Sequence, residues 1–257
     1  MSDPRLLIDQ PLSVGARIAL DEAQARHVGT VLRLEPGENL CVFNARDGEW
    51  RARVADKSKR ALSVEVETLL RPARETPDVD LLFAPVKRHA TDLIVEKACE
   101  LGVRRLRPVL TQRTIAETVR LDRLNAIARE AAEQTERFDA PEILAPVLLA
   151  KALDGWDPAR ALLYADERGS DAQAPWGGES GRAPPIAEAL AALRGRAALA
   201  VLIGPEGGFT AEERGMLRAL AFVVPISLGP RILRAETAVI GALSVVQALW
   251  GDWRAGA

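Results

Sequence analysis

Residues 197–203 read Ala-Ala-Leu-Ala-Val-Leu-Ile. A strand with one wet face alternates polar and apolar residues, so an uninterrupted apolar run belongs to a strand covered on both sides, as in a parallel sheet flanked by helices. Such sheets take ligands beyond the carboxyl ends of their strands. Here that end is Gly204-Pro205-Glu206-Gly207-Gly208-Phe209-Thr210. Thr210 precedes Glu213 by three residues, the spacing at which a hydroxyl and a carboxylate satisfy the free N–H groups of a new helix. A second segment, Leu228-Gly229-Pro230-Arg231-Ile232-Leu233-Arg234-Ala235-Glu236-Thr237, repeats the layout of apolar strand, Gly-Pro turn and helix start.

The alternation of strand and helix from residue 80 onward predicts an α/β domain with a largely parallel sheet. Strands are expected over 80–86, 106–110 and 160–165. Helices are expected over 90–101, closed by Gly102 in the left-handed region, over about 121–136, and from Glu236 to about Trp253. Residues 1–72 read as a smaller β-rich unit. Leu62 to Glu67 alternates strictly, 39–44 and 50–54 are weaker strands joined at Arg46-Asp47-Gly48, and 21–28 is a short helix. The aperiodic, proline-containing run 71–78 sets the expected domains at 1–72 and 73–257. Residues 166–185 collect Gly, Pro, Ser and charges, and are expected to form a peripheral surface loop.

The net charge of −2 does not mark the chain as a nucleic-acid binder, so any such binding must come from local basic clusters. The first unit carries Arg26, Arg33, Arg51, Arg53, Lys57, Lys59 and Arg60. Solvated strand edges explain these residues as well as an RNA-facing patch does. Cys41 and Cys99 stand in no paired spacing and read as small buried residues, and His27 and His89 lack a ligand context, so no metal is expected. No apolar run reaches the ~18 residues of a membrane span, and Met-Ser-Asp-Pro-Arg lacks a signal-peptide core, so a cytoplasmic protein is expected.

Glycines at a strand mouth raise the question of a nucleotide. A phosphate loop needs GxxxxGK[ST] and a dinucleotide fold needs GxGxxG, and Gly204 to Gly208 has neither. Glu206 at the centre of the loop would repel pyrophosphate. An open backbone with a carboxylate suits a neutral to cationic cofactor such as S-adenosylmethionine. Gly207-Gly208 alone would be explained by a tight turn; two matched loops favour a shared site.

Ile203-Gly204-Pro205-Glu206-Gly207-Gly208-Phe209-Thr210 together with Leu228 to Ala238 closely resembles the RsmE family, SPOUT-class methyltransferases that modify N3 of a uridine in 16S ribosomal RNA. His27-Val28-Gly29-Thr30-Val31-Leu32-Arg33, Glu96 to Val103, and Glu133-Gln134 with Arg137 and Pro141 extend the likeness over nearly the whole chain. The resemblance implies a PUA-like N-terminal β-barrel for RNA and a C-terminal α/β domain with a trefoil knot. It further implies a homodimer that acts on 16S RNA in the assembled small ribosomal subunit. Carried over, the S-adenosylmethionine loops are Leu202, Ile203, Gly204, Glu206 and Gly207 with Leu228, Gly229, Ile232, Leu233 and Arg234. Ala235 stands where the family often has Thr, so a hydroxyl is not required there.

For methyl transfer to N3, a guanidinium would stabilise charge spreading onto O2 and O4. Arg234 leads, followed by Arg231; Glu236 is a candidate base or a helix cap. The residues expected to meet RNA are His27, Arg33, Lys87, Arg88, Arg113 and Arg137. Two alternatives remain open at this point: a related enzyme acting on another ribosomal or transfer RNA position, and an RNA-binding assembly factor without catalysis.

Overall fold

The computed structural model describes residues 3–58, 61–115, 118–171, 173–174 and 177–254; Lys59 and Arg60 of the basic cluster lie outside them. The chain forms two compact units, Met1–Glu75 with Arg129–Ala140, and Thr76–Ala128 with Pro141–Ala257.

In the first unit, β1 (Arg5–Leu7), β2 (Arg17–Ala19), β3 (Asn39–Asn44), β4 (Gly48–Lys57) and β5 (Leu62–Arg71) form a sheet in the order β1-β3-β4-β5-β2. The pairing of β1 with β3 is parallel and the rest is antiparallel. The alternation in β5 does what it predicts: Leu62, Val64 and Val66 are buried while Ser63, Glu65 and Glu67 are partly exposed. These apolar residues share one core with Leu6, Ile8, Val42 and Val54. Shifts of register along β4 and β5 bend the pair over that core. The edge strands β1 and β2 carry no ladder to each other among the described residues.

Helix α1 (Glu22–Arg26) opens with a capping box between Asp21 and Gln24 and passes into a π-turn at His27–Val31. Segment 129–140 completes the unit. Arg5 donates Nη1 to the carbonyls of Ala132 and Glu133, both at 3.1 Å, and Leu7 N donates to Glu133 Oε1 at 3.0 Å. Cys99 is buried as expected, but Cys41 is only partly so. It sits in β3 between two buried residues, on the other face of the strand. Burial, then Glu49, pushes its thiol up.

The second unit contains, in order, β6 (Val79–Phe83), α2 (Arg88–Glu100), β7 (Arg105–Leu110), the part of α3 (Leu121–Gln134) before Arg129, β8 (Glu142–Ile143), β9 (Val147–Leu148) and α4 (Leu149–Leu153). It continues with β10 (Ala161–Ala165), α5 (Ile186–Ala192), β11 (Leu199–Ile203), α6 (Ala211–Ala219), β12 (Val223–Ile226) and α7 (Ala235–Leu249). The sheet runs β12-β10-β11-β6-β7-β8 with β9 further along β7, and every pairing is parallel. All of β11 is buried. Leu199, Val201 and Ile203 pack with Val95, Leu190 and Val239 on one face, whereas Ala200 and Leu202 pack with Leu153, Trp156 and Leu217 on the other. That division is why neither parity of the strand tolerates a polar residue.

Gly102 takes φ 72° after α2. Gln247, fully buried on α7, donates Nε2 to the carbonyl of Leu101 at 2.7 Å and so ties the two helix ends together. At the amino ends of the strands, Asp80 accepts from Arg105 at 2.8 Å and Asp78 from Arg160 at 2.7 Å. The opposite, carboxyl ends are left to the loops.

Candidate active site

The loop after β11 is held from both sides. Thr210 N donates to Glu213 Oε2 at 2.9 Å and Glu213 N to Thr210 Oγ1 at 3.2 Å, completing the expected capping box. The other carboxylate oxygen of Glu213 accepts from Gln112 N at 2.8 Å, which joins the start of α6 to the exit of β7. Phe209 is 3% exposed and meets Tyr164 edge to face at 5.1 Å. Its ring closes over Gly204, where a Cβ would lie 2.5 Å from Phe209 Cε2. The first glycine of the loop therefore makes room for the aromatic that anchors it.

The loop after β12 is looser. Gly229 adopts φ 107° and donates N–H to Ser227 Oγ at 3.2 Å. Arg234 occupies the N-cap position of α7 with extended backbone, and its side chain makes no cap hydrogen bond.

A cavity of about 360 Å³ opens between the two loops. Of the residues expected at the cofactor, Ile203, Gly204, Glu206, Leu228, Gly229, Ile232, Leu233 and Arg234 line it, as does Arg231. Two of them, Leu202 and Gly207, do not, and neither does the candidate base Glu236. Leu202 is buried in the core on the far face of β11. Gly207 turns its carbonyl to Arg113 Nη1 at 2.8 Å. Glu236, expected as a base or a helix cap, stands in the first turn of α7 and is not among the lining residues.

The cavity also takes in residues that sequence reasoning passed over: Ala165, Asp166 and Glu167, together with Ala235 and Ala238. The 166–185 loop is therefore not peripheral at its start. Asp166 is 2% exposed and accepts from Arg214 Nε at 3.0 Å and Arg218 Nε at 2.8 Å. Arg214 also donates to the carbonyl of Arg168 at 2.8 Å, and Arg218 to that of Gly181 at 2.9 Å, so α6 clamps the loop. Burial works against the charge of Arg214, but its bond to Asp166 outweighs this and raises the pKa. Burial, followed by the charge of Asp166, pushes the Tyr164 phenol up, so it stays protonated. The rule that ligands gather at strand ends would have found Asp166, which directly follows β10.

Lys87, Arg88 and Arg113 line a second cavity, which shares Pro205 and Glu206 with the first. In the first unit, Arg33 is exposed and holds φ 58°, whereas His27 is half-buried. Arg53 pairs with Glu67 at 3.0 Å and Lys57 with Glu35 at 2.7 Å, so part of the basic cluster is neutralised. Arg137 is not on an open face: its side chain is 9% exposed and pairs with Asp139 at 2.9 Å. Among the described residues no group of acidic, His and Cys side chains is arranged to hold a metal, and no helix is long and apolar enough to cross a membrane.

Residues 74–247 match the RNA methyltransferase domain family, and residues 20–67 match the PUA domain of RNA methyltransferases. Ribosomal RNA small subunit methyltransferase E of Rickettsia conorii is 31% identical over 95% of both chains. Its namesake in Synechocystis is 30% identical over 95% of this chain and 77% of its own. The crystal structure of a ribosomal RNA small subunit methyltransferase E from Neisseria gonorrhoeae bound to S-adenosyl methionine is similar with a TM-score of 0.83. It shares 28% identity and covers 98% of this chain and 100% of its own. A glycine loop clamped under Phe209, a second loop facing it, and likeness along the full length converge on one conclusion: the chain belongs to the ribosomal RNA small subunit methyltransferase E family.

Proposed function

We propose that the chain methylates N3 of a uridine in 16S ribosomal RNA, with S-adenosylmethionine as donor, as a cytoplasmic homodimer acting on the assembled small ribosomal subunit. The observation that carries this reading is the single cavity walled by both glycine loops. The residues present fit the cofactor. Backbone and small side chains at Gly229 and Ala235 leave space, Ile226 and Leu228 give apolar contact, and Glu206 supplies a carboxylate for a cationic ligand. Gly229 faces open space at a φ that favours glycine. The strand order, with β11 between β6 and β10, supports the trefoil-knotted connection expected from the resemblance.

Bound S-adenosylmethionine supplies an electrophilic methyl: its S–C bond breaks, an N3–C bond forms, and a neutral thioether and the N3 proton are released. The protein's part is alignment and charge stabilisation. Arg234, on the cavity wall and free of capping duty, presents a guanidinium to the oxygens that gain charge as N3 loses its proton. Arg231 stands beside it on the same loop. Glu236, in the first turn of α7 and not among the lining residues, is better suited to the positive end of that helix than to proton removal.

The test is to incubate the protein with labelled cofactor and small subunits lacking the modification, then map the methyl by mass spectrometry. N3-methyluridine in 16S RNA is expected from the wild type and none from Arg234→Ala, whose cofactor affinity stays within about tenfold. A product on transfer RNA, or binding of RNA without turnover, would replace this reading with one of its two rivals.

A further inference from the structure

The cavity between the glycine loops is lined by the carboxyl groups of Asp166, Glu167 and Glu206 and by the guanidinia of Arg231 and Arg234. Asp166 is already neutralised by Arg214 and Arg218. Glu167 and Glu206 remain, in the loops after β10 and β11, with Arg231 and Arg234 in the loop after β12. None of these four side chains is in an ion pair among the described residues. Opposite charges kept apart polarise the cavity: its negative groups follow β10 and β11, and its positive groups follow the edge strand β12.

Glu167 is placed by a glycine. Gly208 holds φ 65°, and a Cβ there would lie 2.8 Å from Glu167 Oε1, so the carboxylate occupies the room that the missing side chain leaves. Its main chain is steadied from the other direction, because the neighbouring Asp166 is bound to α6 through Arg214 and Arg218. The acid is thereby set against the loop that carries Glu206.

The donor proposed for this cavity carries a positive sulfonium, and its product does not. On transfer the S–C electron pair stays on sulfur, N3 bonds to the methyl carbon, and the N3 proton is released to solvent. One positive charge thus disappears from the bound molecule. Two unpaired carboxylates attract the cation and gain nothing from a neutral thioether that keeps them from water. We infer that Glu167, together with Glu206, sets the preference of this site for the sulfonium donor over its thioether product, and so favours product release. The inference rests on the proposed methyl transfer. Arg231 and Arg234, on the other side, suit the uracil oxygens that gain charge, so the same polarity serves donor and acceptor.

The test is calorimetric titration of the full-length protein with S-adenosylmethionine, with S-adenosylhomocysteine, and with sinefungin, in which a protonated amine replaces the methylated sulfonium. The wild type should bind the two cations about tenfold more tightly than the neutral product. In Glu167→Gln the ratio should fall to about threefold while affinity for S-adenosylhomocysteine stays within about twofold, and Glu167→Asp should keep most of the ratio. Adding Glu206→Gln should bring it near parity. Raised salt should weaken the cations more than the product. An unchanged ratio in Glu167→Gln, or an equal loss of all three ligands, overturns the inference. If the wild type binds neither donor nor product, the methyl-transfer reading fails and takes the inference with it. If it methylates RNA while the ratio ignores Glu167→Gln, the inference alone fails.

Discussion

Arg113 donates Nη1 to the carbonyl of Gly207 at 2.8 Å, and a Cβ on Gly207 would rest 3.4 Å from Arg113 Cβ. Side chain and glycine loop are thereby one wall, built from β7 and β11. Because the bond is exposed, Arg113→Ala should weaken S-adenosylmethionine binding by about tenfold or less, measured by calorimetry. Arg113→Lys keeps the charge but loses the planar fork, and recovers only part. Unaltered affinity in Arg113→Ala would mean that the Thr210–Glu213 box holds the loop unaided.

Gly204→Ala drives a methyl group into Phe209. The ring is pinned by Tyr164 and has nowhere to retreat, so overpacking should cost about 1–3 kcal/mol. Thermal unfolding should show the loss together with a collapse of cofactor affinity. A variant as stable as the wild type would mean that the ring has room to shift.

Asp166→Asn removes the charge that Arg214 and Arg218 share. The Asp166 side chain is 1% exposed, and the two guanidinia are 18% and 33% exposed, so the pair is well shielded from water. Leaving the arginines uncompensated should cost about 3 kcal/mol and free the 166–182 loop. Limited proteolysis should then cut between Arg168 and Arg182, where the wild type resists.

Glu49 lies between Arg5 at 2.6 Å and Arg71 at 2.5 Å. Burial raises its pKa, but the bonds from Arg71 and Arg5 win, and the folded value falls below the ordinary one. A depressed carboxylate stabilises the fold above its unfolded pKa of ~4.3, and that contribution is lost as pH falls through the folded value. Unfolding midpoints of the wild type should therefore drop below about pH 4. Glu49→Gln, less stable at neutrality, should converge on the wild type in acid.

Glu133 has the opposite sign. Burial raises its pKa, and the Leu7 amide and Arg129 only partly offset that. The folded state favours the protonated form, so stability is greatest below the unfolded pKa and declines as pH rises through the folded one. Glu133→Gln keeps an acceptor for the Leu7 amide. It should match or exceed wild-type stability at pH 7, with the advantage vanishing below about pH 4 in thermal-shift measurements. Destabilisation at pH 7 would mean that the ionised carboxylate is needed.

What could be read directly from residue order is what neighbouring residues decide among themselves. The Thr210–Glu213 box, the left-handed Gly102, the alternation of β5 and the all-apolar β11 are settled within a few positions, and each appears as expected. Asp166 looked like loop chemistry because its partners sit on α6, far along the chain. Arg137 looked like a phosphate ligand for the same reason: nothing local shows that Arg5 reaches its carbonyl or that its side chain is enclosed. Segment 129–140 joins the first unit through Arg5 and Leu7, contacts that a boundary drawn on composition cannot register.

The position of β11 also governs how the chain is born. Val79 of β6 pairs with Leu199 of β11, and Leu162 of β10 with Ala200, so the two earlier strands flank a gap that only a late strand fills. During synthesis β6 and β10 emerge first and wait with apolar edges unpaired until β11 leaves the ribosome. Assembly of the sheet is therefore among the last events of the chain's folding. A truncation before Leu199 should yield a chain that binds chaperones rather than a smaller working domain.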